Sequence, residues 1–182
     1  MVNEKVAENL RSAFGGESQA HMRYQIWGET AEKEGFPRVK TLFDAISFAE
    51  SVHAKSHFQV IKDVKGDFEV TSMAGFGIGN TSENLQAAAN GERWEIDVMY
   101  SDFLKTAEEA GEKRAIQSIN YAKAAEGTHE KMYLAAKEYV DEGKDIDFEN
   151  IHVCPICGYV SYGEMEENCP ICNAPSSKFI KY

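Results

Sequence analysis

Apolar residues recur at every third or fourth position along most of the first 142 residues, and this spacing places them on one face of an α-helix. The longest stretches with this period are residues 3–34, 37–66, 92–111 and 112–142. Glycine or proline lies near their boundaries, which is typical of helix ends. The joints after the first and third stretches are short, so the pattern predicts two antiparallel helical hairpins.

Residues 67–81 connect the two hairpins and have no helical period. Three glycines and several strand-favouring residues lie here, including the stretch Gly75–Gly79, and they predict a long crossover. Ser82 is expected to cap the helical segment that follows, and Gly91 to mark a break or kink. One long crossover in the middle of four helices is the ferritin-like connectivity. Residues 1–142 are therefore predicted to form an all-α four-helix bundle.

Two copies of the pattern Glu-x-x-His interrupt the apolar stripes of this bundle. Glu50 and His53 lie on the second helix, and Glu126 and His129 lie on the fourth. Residues three apart share one face of a helix, and here that face is the one expected to be buried. A buried charge is costly unless it is paired or bound to a metal. The repeated pattern therefore predicts a dinuclear metal site inside the bundle.

Each repeat follows a single inward-facing glutamate on the preceding helix, Glu17 in the first half and Glu92 in the second. This is the ligand formula of di-iron carboxylate bundles, and the mixture of carboxylates and imidazoles suits iron or manganese. Glu95 is either a surface residue or a seventh ligand that would let the site exchange donors between oxidation states. The candidate metal ligands, which are also the candidate catalytic residues, are Glu17, Glu50, His53, Glu92, Glu95, Glu126 and His129.

Four further side chains fall near this predicted site. Tyr24 and Tyr100 are placed either to hydrogen-bond a ligand carboxylate or to act as core aromatics with satisfied hydroxyl groups. His21 and His57 follow Glu17 and His53 by four residues. They could line the cavity or orient a carboxylate, although interior or interface histidines of this kind are more often structural.

All four cysteines lie near the end of the chain in two Cys-x-x-Cys pairs, Cys154–Cys157 and Cys169–Cys172. Four thiolates form a tetrahedral site for zinc or iron. Gly158 and Asn173 stand where each turn is expected to need a positive φ. Residues 151–182 have too few apolar groups for a core of their own, so a metal is expected to organise them. Residues 143–150 are polar and predict a linker.

The composition limits the possible partners and compartments. The chain has 182 residues, 43% of them hydrophobic, and a formal net charge of −11, which argues against nucleic acid and anionic membranes as partners. No apolar run approaches the length of a membrane span, and the first residues lack the pattern of a signal peptide. The cytoplasm is therefore expected, and there paired cysteines indicate metal binding rather than disulfides.

Taken together, these motifs resemble the rubrerythrin family over essentially the whole chain. The stretches Gly16–Tyr24 and Cys154–Tyr159 strengthen the resemblance. Two departures are visible: the glycine-rich crossover is longer than in compact members, and Ser101 stands where the family often has proline after the tyrosine matched by Tyr100. Neither departure touches a candidate ligand, although the first leaves the packing of subunits open.

The resemblance implies a di-iron bundle joined to a rubredoxin-like domain, in which Cys154, Cys157, Cys169 and Cys172 hold one iron ion rather than zinc. It also implies an enzyme that reduces hydrogen peroxide to water and protects against oxidative stress. Electrons would come from NAD(P)H through a separate reductase and pass through the rubredoxin-like iron. A homodimer or higher homo-oligomer is expected. No Gly-x-Gly-x-x-Gly motif follows a predicted strand, so we expect no nicotinamide or flavin site on this chain.

Two other interpretations remain open at the level of the sequence. The bundle ligands also suit a ferroxidase that stores iron, although storage does not need a one-electron relay such as the tail. Alternatively, the tail is a zinc ribbon that mediates protein contacts. The metal content and the visible spectrum distinguish these possibilities, because an oxidised iron tetrathiolate is coloured and a zinc tetrathiolate is not.

Overall fold

The computed structural model describes residues 2–182 and confirms the four-helix bundle with a small C-terminal metal-knuckle region. Four long rods form two hairpins, and the third rod consists of two α-helices joined by a π-helical turn at Glu95–Met99. The helices are α1 Glu4–Lys33, α2 Pro37–Val60, α3 Thr81–Trp94, α4 Tyr100–Glu109 and α5 Lys113–Asp141. None of the helices in the described part of the chain is both long enough and apolar enough to cross a membrane.

Local side-chain chemistry explains where α1 and α3 begin. The side chain of Asn3 accepts hydrogen bonds from the first backbone N–H groups of α1. At α3, Asn80 and Glu83 form a reciprocal capping box. The prediction that Ser82 caps this segment was wrong, because Asn80 and Glu83 together satisfy two free N–H groups and so fix the start of the helix earlier.

The irregularity in the third rod lies at the π-turn and not at Gly91, where the helix is continuous. Ser101 Oγ donates to the backbone carbonyl of Ile96 at 2.9 Å, and Lys123 Nζ donates to Ser101 Oγ at 2.7 Å. These contacts support the wider turn from one side. A π-turn inserts one extra residue into a helix and so rotates the residues beyond it relative to those before it. It therefore sets which face Tyr100 presents to α1.

The buried apolar residues form two clusters, one toward each end of the bundle. One cluster contains Tyr24, Trp27, Phe43 and Tyr133, whose rings pack edge-on or tilted against one another. The other contains the residues around Leu10 and those of α4 and early α5. Between them, each of α1, α2, α3 and α5 contributes buried acidic or histidine side chains. The polar site therefore lies in the middle of the bundle with apolar packing on both sides.

The crossover runs along the outside of α1 and is held there by hydrogen bonds to its backbone carbonyls. Ser12 Oγ donates to Thr71 O at 2.7 Å, and Trp27 Nε1 donates to Gly77 O at 2.9 Å. Since these contacts follow the same order along both segments, the crossover runs in the direction of α1. It returns the chain to the start of α3 without entering the bundle.

The tail has three short strands, β1 His152–Val153, β2 Val160–Ser161 and β3 Ile180–Lys181, and a 3₁₀ turn at Ser176–Lys178. The strands form a small antiparallel sheet in the order β2-β1-β3. The side chains of Ile151, Val153 and Val160 join the apolar cluster of the bundle. The tail thus completes its small core by docking on the bundle of the same chain.

The segment 143–150, for which the composition predicts a linker, is itself packed. Ile146 and Phe148 are buried in the bundle cluster. The carboxylate of Asp145 accepts hydrogen bonds from the backbone N–H groups of Arg38 and Val39 at 2.8 and 3.1 Å. It therefore caps the N-terminus of α2, which has no cap from its own N-cap residue. The connection between bundle and tail is thereby fixed along the bundle surface.

Candidate metal centres

Six of the seven predicted bundle ligands meet in the middle of the bundle, and each is no more than 1% exposed. Glu17 comes from α1 and Glu92 from α3, while the Glu-x-x-His pairs come from α2 and α5. The apolar stripes of the four rods turn these side chains inward, because buried apolar residues such as Ala13, Ile46, Ala88 and Ala122 lie one turn before them.

Two glutamates lie between the two histidines. Glu50 is 3.1 Å from His53 Nδ1 and 3.2 Å from His129 Nδ1. Glu126 is 2.8 Å from His53 Nδ1 and 2.7 Å from His129 Nδ1. In both cases, the two oxygens of one carboxylate face different histidines. This is the arrangement by which a carboxylate bridges two cations.

The ligand atoms fall into two overlapping groups, each with atoms within 4.8 Å of one another. One group adds Glu17 and His53 to the two shared glutamates, and the other adds Glu92 and His129. Each half of the bundle therefore offers one carboxylate and one imidazole of its own. The internal repeat seen in the sequence corresponds to a near-symmetric pair of positions that could each hold a metal ion.

The orientation of both imidazoles is fixed from the side of the tail. His53 Nε2 lies 3.0 Å from the backbone carbonyl of Cys157, and His129 Nε2 lies 3.0 Å from that of Gly158. Because a carbonyl oxygen only accepts hydrogen bonds, each Nε2 must carry the proton. In a neutral imidazole this leaves the Nδ1 lone pair directed at the carboxylates, as a metal ligand requires.

Unsatisfied atoms test whether the site fits metal ions. Buried polar atoms normally have a hydrogen-bond partner, yet six atoms here have none: Glu17 Oε2, Glu50 Oε1, Glu92 Oε2, both carboxylate oxygens of Glu126, and His129 Nδ1. His129 Nδ1 is close to Glu126 without hydrogen-bond geometry. Several donor atoms that converge without bonding to one another are suited to a cation in common. The donor set and its geometry fit two metal ions.

The carboxylates and imidazoles of this cluster influence each other's protonation. Burial raises the pKa of Glu17 and of Glu92 well above the usual range, and the nearby carboxylates raise it further. Burial also raises the pKa of Glu50, but the close imidazoles of His129 and His53 outweigh this and leave the pKa lowered. Burial lowers the pKa of His129, whereas Glu126 raises it, to about 10. Protons on the imidazoles thus balance the carboxylates, and binding of metal ions would release those protons.

Glu95 lies outside both four-residue groups. It stands at the start of the π-turn and is only half-buried. Burial and the charges of Glu17 and Glu126 raise the pKa of its carboxyl group well above the usual range. Glu95 is therefore influenced by the charges of the site but does not belong to either group of converging ligand atoms.

The two phenols named from the sequence each donate to a glutamate. Tyr24 donates to Glu92 Oε1 at 2.6 Å, and Tyr100 donates to Glu17 Oε1. Both hydroxyl groups are buried, and burial raises the pKa of both well above the usual range. Each half of the site thus has one neutral tyrosine that orients its terminal carboxylate.

The two remaining histidines differ from each other. The Nδ1 atom of His21 lies within hydrogen-bond distance of the carbonyl oxygen and the hydroxyl group of Ser47 on α2, and not of the carboxylates. His57 is fully buried and lies between Tyr100 and Ser118, at 2.9 Å from each oxygen. Burial lowers the pKa of His57 to about 3, so this imidazole is neutral. No pattern in the sequence marked Ser118, because a single serine on a helix carries no functional signal.

The four cysteines of the tail converge within 4.8 Å of one another, and all four are free thiols. The Sγ atoms of Cys154 and Cys172 are 3.6 Å apart, and those of Cys157 and Cys169 are 3.5 Å apart. A hydrogen bond from Cys157 lowers the pKa of Cys154 to about 5. The positive φ angles predicted at the two turns are confirmed, at 76° for Gly158 and 60° for Asn173. Four converging sulfurs fit one tetrahedral metal ion.

Gly158 is the point of closest approach between the tail and the bundle. A Cβ atom at this position would overlap the imidazole of His53. Only glycine combines the positive φ with this close contact. The sequence predicted the first requirement but not the second, because the approach of residues so distant along the chain leaves no local pattern.

Comparisons with known proteins agree with both parts of this arrangement. The rubrerythrin family model matches residues 8–137, and the model of the rubrerythrin rubredoxin-like domain matches residues 152–180. The chain belongs to the rubrerythrin family. The family has a di-iron site in the bundle and one iron ion in the rubredoxin-like domain, and the glutamate–histidine cluster and the four cysteines of this rubrerythrin correspond to them.

Individual relatives span nearly the whole chain. Rubrerythrin-2 of Clostridium acetobutylicum is 45% identical over 177 residues, which cover 97% of this chain and 96% of the relative. Nigerythrin of Nitratidesulfovibrio vulgaris is 35% identical over 175 residues, covering 96% and 85%. The solved structure of fully reduced, all-ferrous nigerythrin has a TM-score of 0.88 at 34% identity and covers 100% of this chain and 88% of its own.

A more distant structure defines the wider fold. The bacterioferritin of Rhodobacter capsulatus is 20% identical with a TM-score of 0.69 and covers 77% of this rubrerythrin and 88% of its own chain. At this identity the likeness shows the fold alone. It confirms the ferritin-like bundle predicted from the crossover.

Proposed function

We propose that this rubrerythrin reduces hydrogen peroxide to water at two iron ions in the bundle, with electrons relayed through an iron ion in the tail. The observation that carries the proposal is the pair of hydrogen bonds from His53 and His129 to the backbone carbonyls of Cys157 and Gly158. They join both imidazoles of the bundle site to the turn that bears two of the four cysteines. Neither storage of iron nor a zinc ribbon needs such a connection.

The proposed ligands follow the two groups described above. One ion would be held by Glu17, Glu50, His53 and Glu126, and the other by Glu50, Glu92, Glu126 and His129. Glu95, at the π-turn, would be a seventh ligand that binds in only one oxidation state of the site. The tail iron would be held by Cys154, Cys157, Cys169 and Cys172.

When bound, two iron ions in the bundle would hold the two electrons that the reduction of one peroxide needs, and one iron ion in the tail would replace them one at a time. The chain contributes a short bonded path between them. The path leaves the sulfur of Cys157, follows its own backbone to the carbonyl oxygen and crosses one hydrogen bond to His53 Nε2. A second path crosses from the carbonyl of Gly158 to His129. Both imidazoles present Nδ1 to the carboxylates at their far side.

The protein surroundings separate the reaction from solvent. Apolar clusters close the bundle on both sides of the site. Tyr24 and Tyr100 hold the terminal carboxylates of Glu92 and Glu17 by hydrogen bonds. A general acid must reach the leaving oxygen, and these carboxyl groups are buried within the ligand cluster itself.

The proposed physiological setting is the cytoplasm, where peroxide reduction would protect against oxidative stress. The electron donor would be a separate NAD(P)H-dependent reductase or a rubredoxin. The proposed assembly is a homodimer or a higher homo-oligomer.

Reoxidation of the reduced protein tests this function. The iron-loaded protein is reduced anaerobically and mixed with an excess of peroxide in a stopped-flow spectrometer. We expect rapid reoxidation of the bundle, followed by return of the tetrathiolate colour of the tail. Slow or absent reoxidation would contradict the proposal. A large iron content per chain, with oxidation by dioxygen in preference to peroxide, would favour iron storage instead. A colourless, zinc-loaded tail would favour a zinc ribbon that mediates protein contacts.

A further inference from the structure

A continuous line of hydrogen bonds leads from the surface of the bundle to Glu17. Ser56 Oγ is 2.7 Å from Ser118 Oγ, and Ser118 Oγ is 2.9 Å from His57 Nδ1. On the other side of the ring, His57 Nε2 is 2.9 Å from the hydroxyl oxygen of Tyr100, which donates to Glu17. The three links from Ser56 to Tyr100 are of hydrogen-bond length. The line connects α2, α5 and α4 with Glu17 on α1.

The hydrogen bond from Tyr100 to Glu17 determines which atom is the donor at every other link of the line. Tyr100 uses its only proton toward the carboxylate, so its oxygen accepts from His57, whose proton must be on Nε2. Nδ1 of the neutral ring is then an acceptor, and Ser118 donates to it. Ser118 in turn accepts from Ser56. All four donors are therefore oriented toward Glu17.

The outer end of the line opens to solvent. Ser56 is half-buried, whereas His57, Tyr100 and Ser118 are buried. Ser56 and Ser118 both line a surface cleft of about 450 Å³ between α2, α5 and the first turn of the tail. Water in this cleft can reach the first hydroxyl group without entering the bundle.

The other half of the site is different. Tyr24 donates to Glu92 in the way that Tyr100 donates to Glu17. Within residues 2–182, however, its ring is surrounded by the aromatic rings of Trp27, Phe43 and Tyr133. The two halves of the near-symmetric site therefore differ. Glu17 is connected to the cleft by hydrogen bonds, whereas Glu92 lies next to packed aromatic rings.

We propose that Ser56, Ser118, His57 and Tyr100 relay protons from the cleft to the carboxylate of Glu17. One proton from water binds Ser56 as the proton of Ser56 passes to Ser118. The proton of Ser118 passes to His57 Nδ1, that of His57 Nε2 to Tyr100, and that of Tyr100 to Glu17. One proton enters, one is gained by Glu17, and the imidazole remains neutral because it exchanges one tautomer for the other.

The relay rests on the proposed function, since reduction of peroxide to two waters consumes two protons and two electrons. A buried site needs a route for those protons. Rotation of the hydroxyl groups and a return of His57 to its first tautomer would reset the line for the second proton. His57 and the two serines act through Tyr100 and Glu17, so they are positioning and relay residues.

Proton exchange tests the relay without any reaction. In the full chain loaded with zinc, which is diamagnetic, ¹H–¹⁵N NMR reports the tautomer of His57 and the exchange of its Nε2 proton with solvent. The decisive comparison is Ser118→Val against Ser118→Thr, because these side chains have nearly the same shape and only threonine keeps the hydroxyl group. We expect exchange in the valine variant to slow by about tenfold or more, while the threonine variant resembles the wild type. Ser47→Ala, at a buried serine on α2 outside the line, should leave exchange unchanged.

Equal exchange rates in the valine and threonine variants, or a proton on Nδ1 of the resting ring, would overturn the relay. If circular dichroism shows that the valine variant does not fold, Ser56→Ala breaks the outer link and decides the question in its place.

Stopped-flow reoxidation of the iron-loaded variants in H₂O and D₂O then tests whether peroxide reduction uses the relay. Ser118→Val should react about tenfold more slowly than Ser118→Thr at equal iron content, with a larger solvent isotope effect. Slowed exchange with equal reoxidation rates would overturn the use of the relay in the reaction. If the wild type itself is not reoxidised by peroxide, the proposed function fails, and the exchange measurement still decides whether the relay exists.

Discussion

His53 donates a hydrogen bond from Nε2 to the backbone carbonyl of Cys157 across 3.0 Å, although the two residues belong to different parts of the chain. The next residue, Gly158, accepts from His129 in the same way. The turn that holds two cysteines thus also fixes the rings of the two bundle histidines. Changes at this turn should therefore alter the connection between the two metal centres.

Replacing Gly158 by alanine is expected to displace the tail from the bundle. The new Cβ would overlap His53, and the residue would also keep a positive φ of 76°. The tail should retain its iron and its colour, because the cysteine sulfurs are unchanged, while electron transfer from the tail to the bundle slows. Stopped-flow spectroscopy after peroxide addition measures this as delayed reoxidation of the tail.

Gly163→Ala is the matched control for that variant. Gly163 has a similar φ of 79° but nothing within 4 Å of a Cβ atom. It should lose only about 1 kcal/mol of stability from the unfavourable φ. Equal electron-transfer rates in the two alanine variants would contradict the importance of the contact between Gly158 and His53.

Replacing Cys157 by serine should remove the tail iron and leave the bundle iron in place. One of the four converging sulfurs is lost, whereas no carboxylate or imidazole changes. Iron analysis should fall by one equivalent per chain, the visible tetrathiolate bands should disappear, and turnover with an external electron donor should fall sharply. Unchanged turnover would mean that electrons enter the bundle without passing through the tail.

Replacing Glu126 by alanine should release or displace iron from the bundle, because this carboxylate contacts both histidines. The helices should remain, as measured by circular dichroism, since the apolar clusters on either side are intact. Glu130→Ala is the control one turn away, where the carboxylate pairs with Arg93 at 2.7 Å. Full bundle occupancy in Glu126→Ala would show that Glu126 is not a ligand.

Removal of metal should lower the thermal stability of the protein. The buried carboxylates of the metal-free site include oxygens without hydrogen-bond partners, and unsatisfied buried polar groups are costly. Adding back a redox-inert divalent ion should raise the free energy of unfolding by about 2.7 kcal/mol for each site at which the free ion is at about 100 times the Kd of that site. Calorimetry of the wild type and of Glu126→Ala provides the comparison, and the gain should be much smaller in the variant.

Features that depend on local sequence were predictable, and features that depend on distant contacts were not. The four rods follow from helical periodicity, and the two cysteine turns follow from their spacing and from the need for a positive φ at Gly158 and Asn173. The glutamates that lie between both histidines could not be chosen from the sequence, because all candidate glutamates occupy inward positions of the same kind.

The contacts of the connecting segment show the same limit. Asp145 reads as one acidic residue among several in a polar stretch, yet in the structure it caps α2. The π-turn was also missed. Its supports, the hydroxyl of Ser101 and the ammonium group of Lys123, come from two different rods and meet only after the hairpin has formed.

The packed connection has a mechanical consequence for the assembly. Ile146 and Phe148 are buried in the bundle, and Asp145 is hydrogen-bonded to the start of α2. The connection therefore fixes the position of the tail on the bundle and does not act as a flexible linker. Its local concentration at its own bundle is high, as for any short intramolecular link. Exchange of tails between two neighbouring chains would first require Asp145, Ile146 and Phe148 to lose their contacts with the bundle. Such an exchange would therefore take place during folding and assembly rather than in each catalytic cycle.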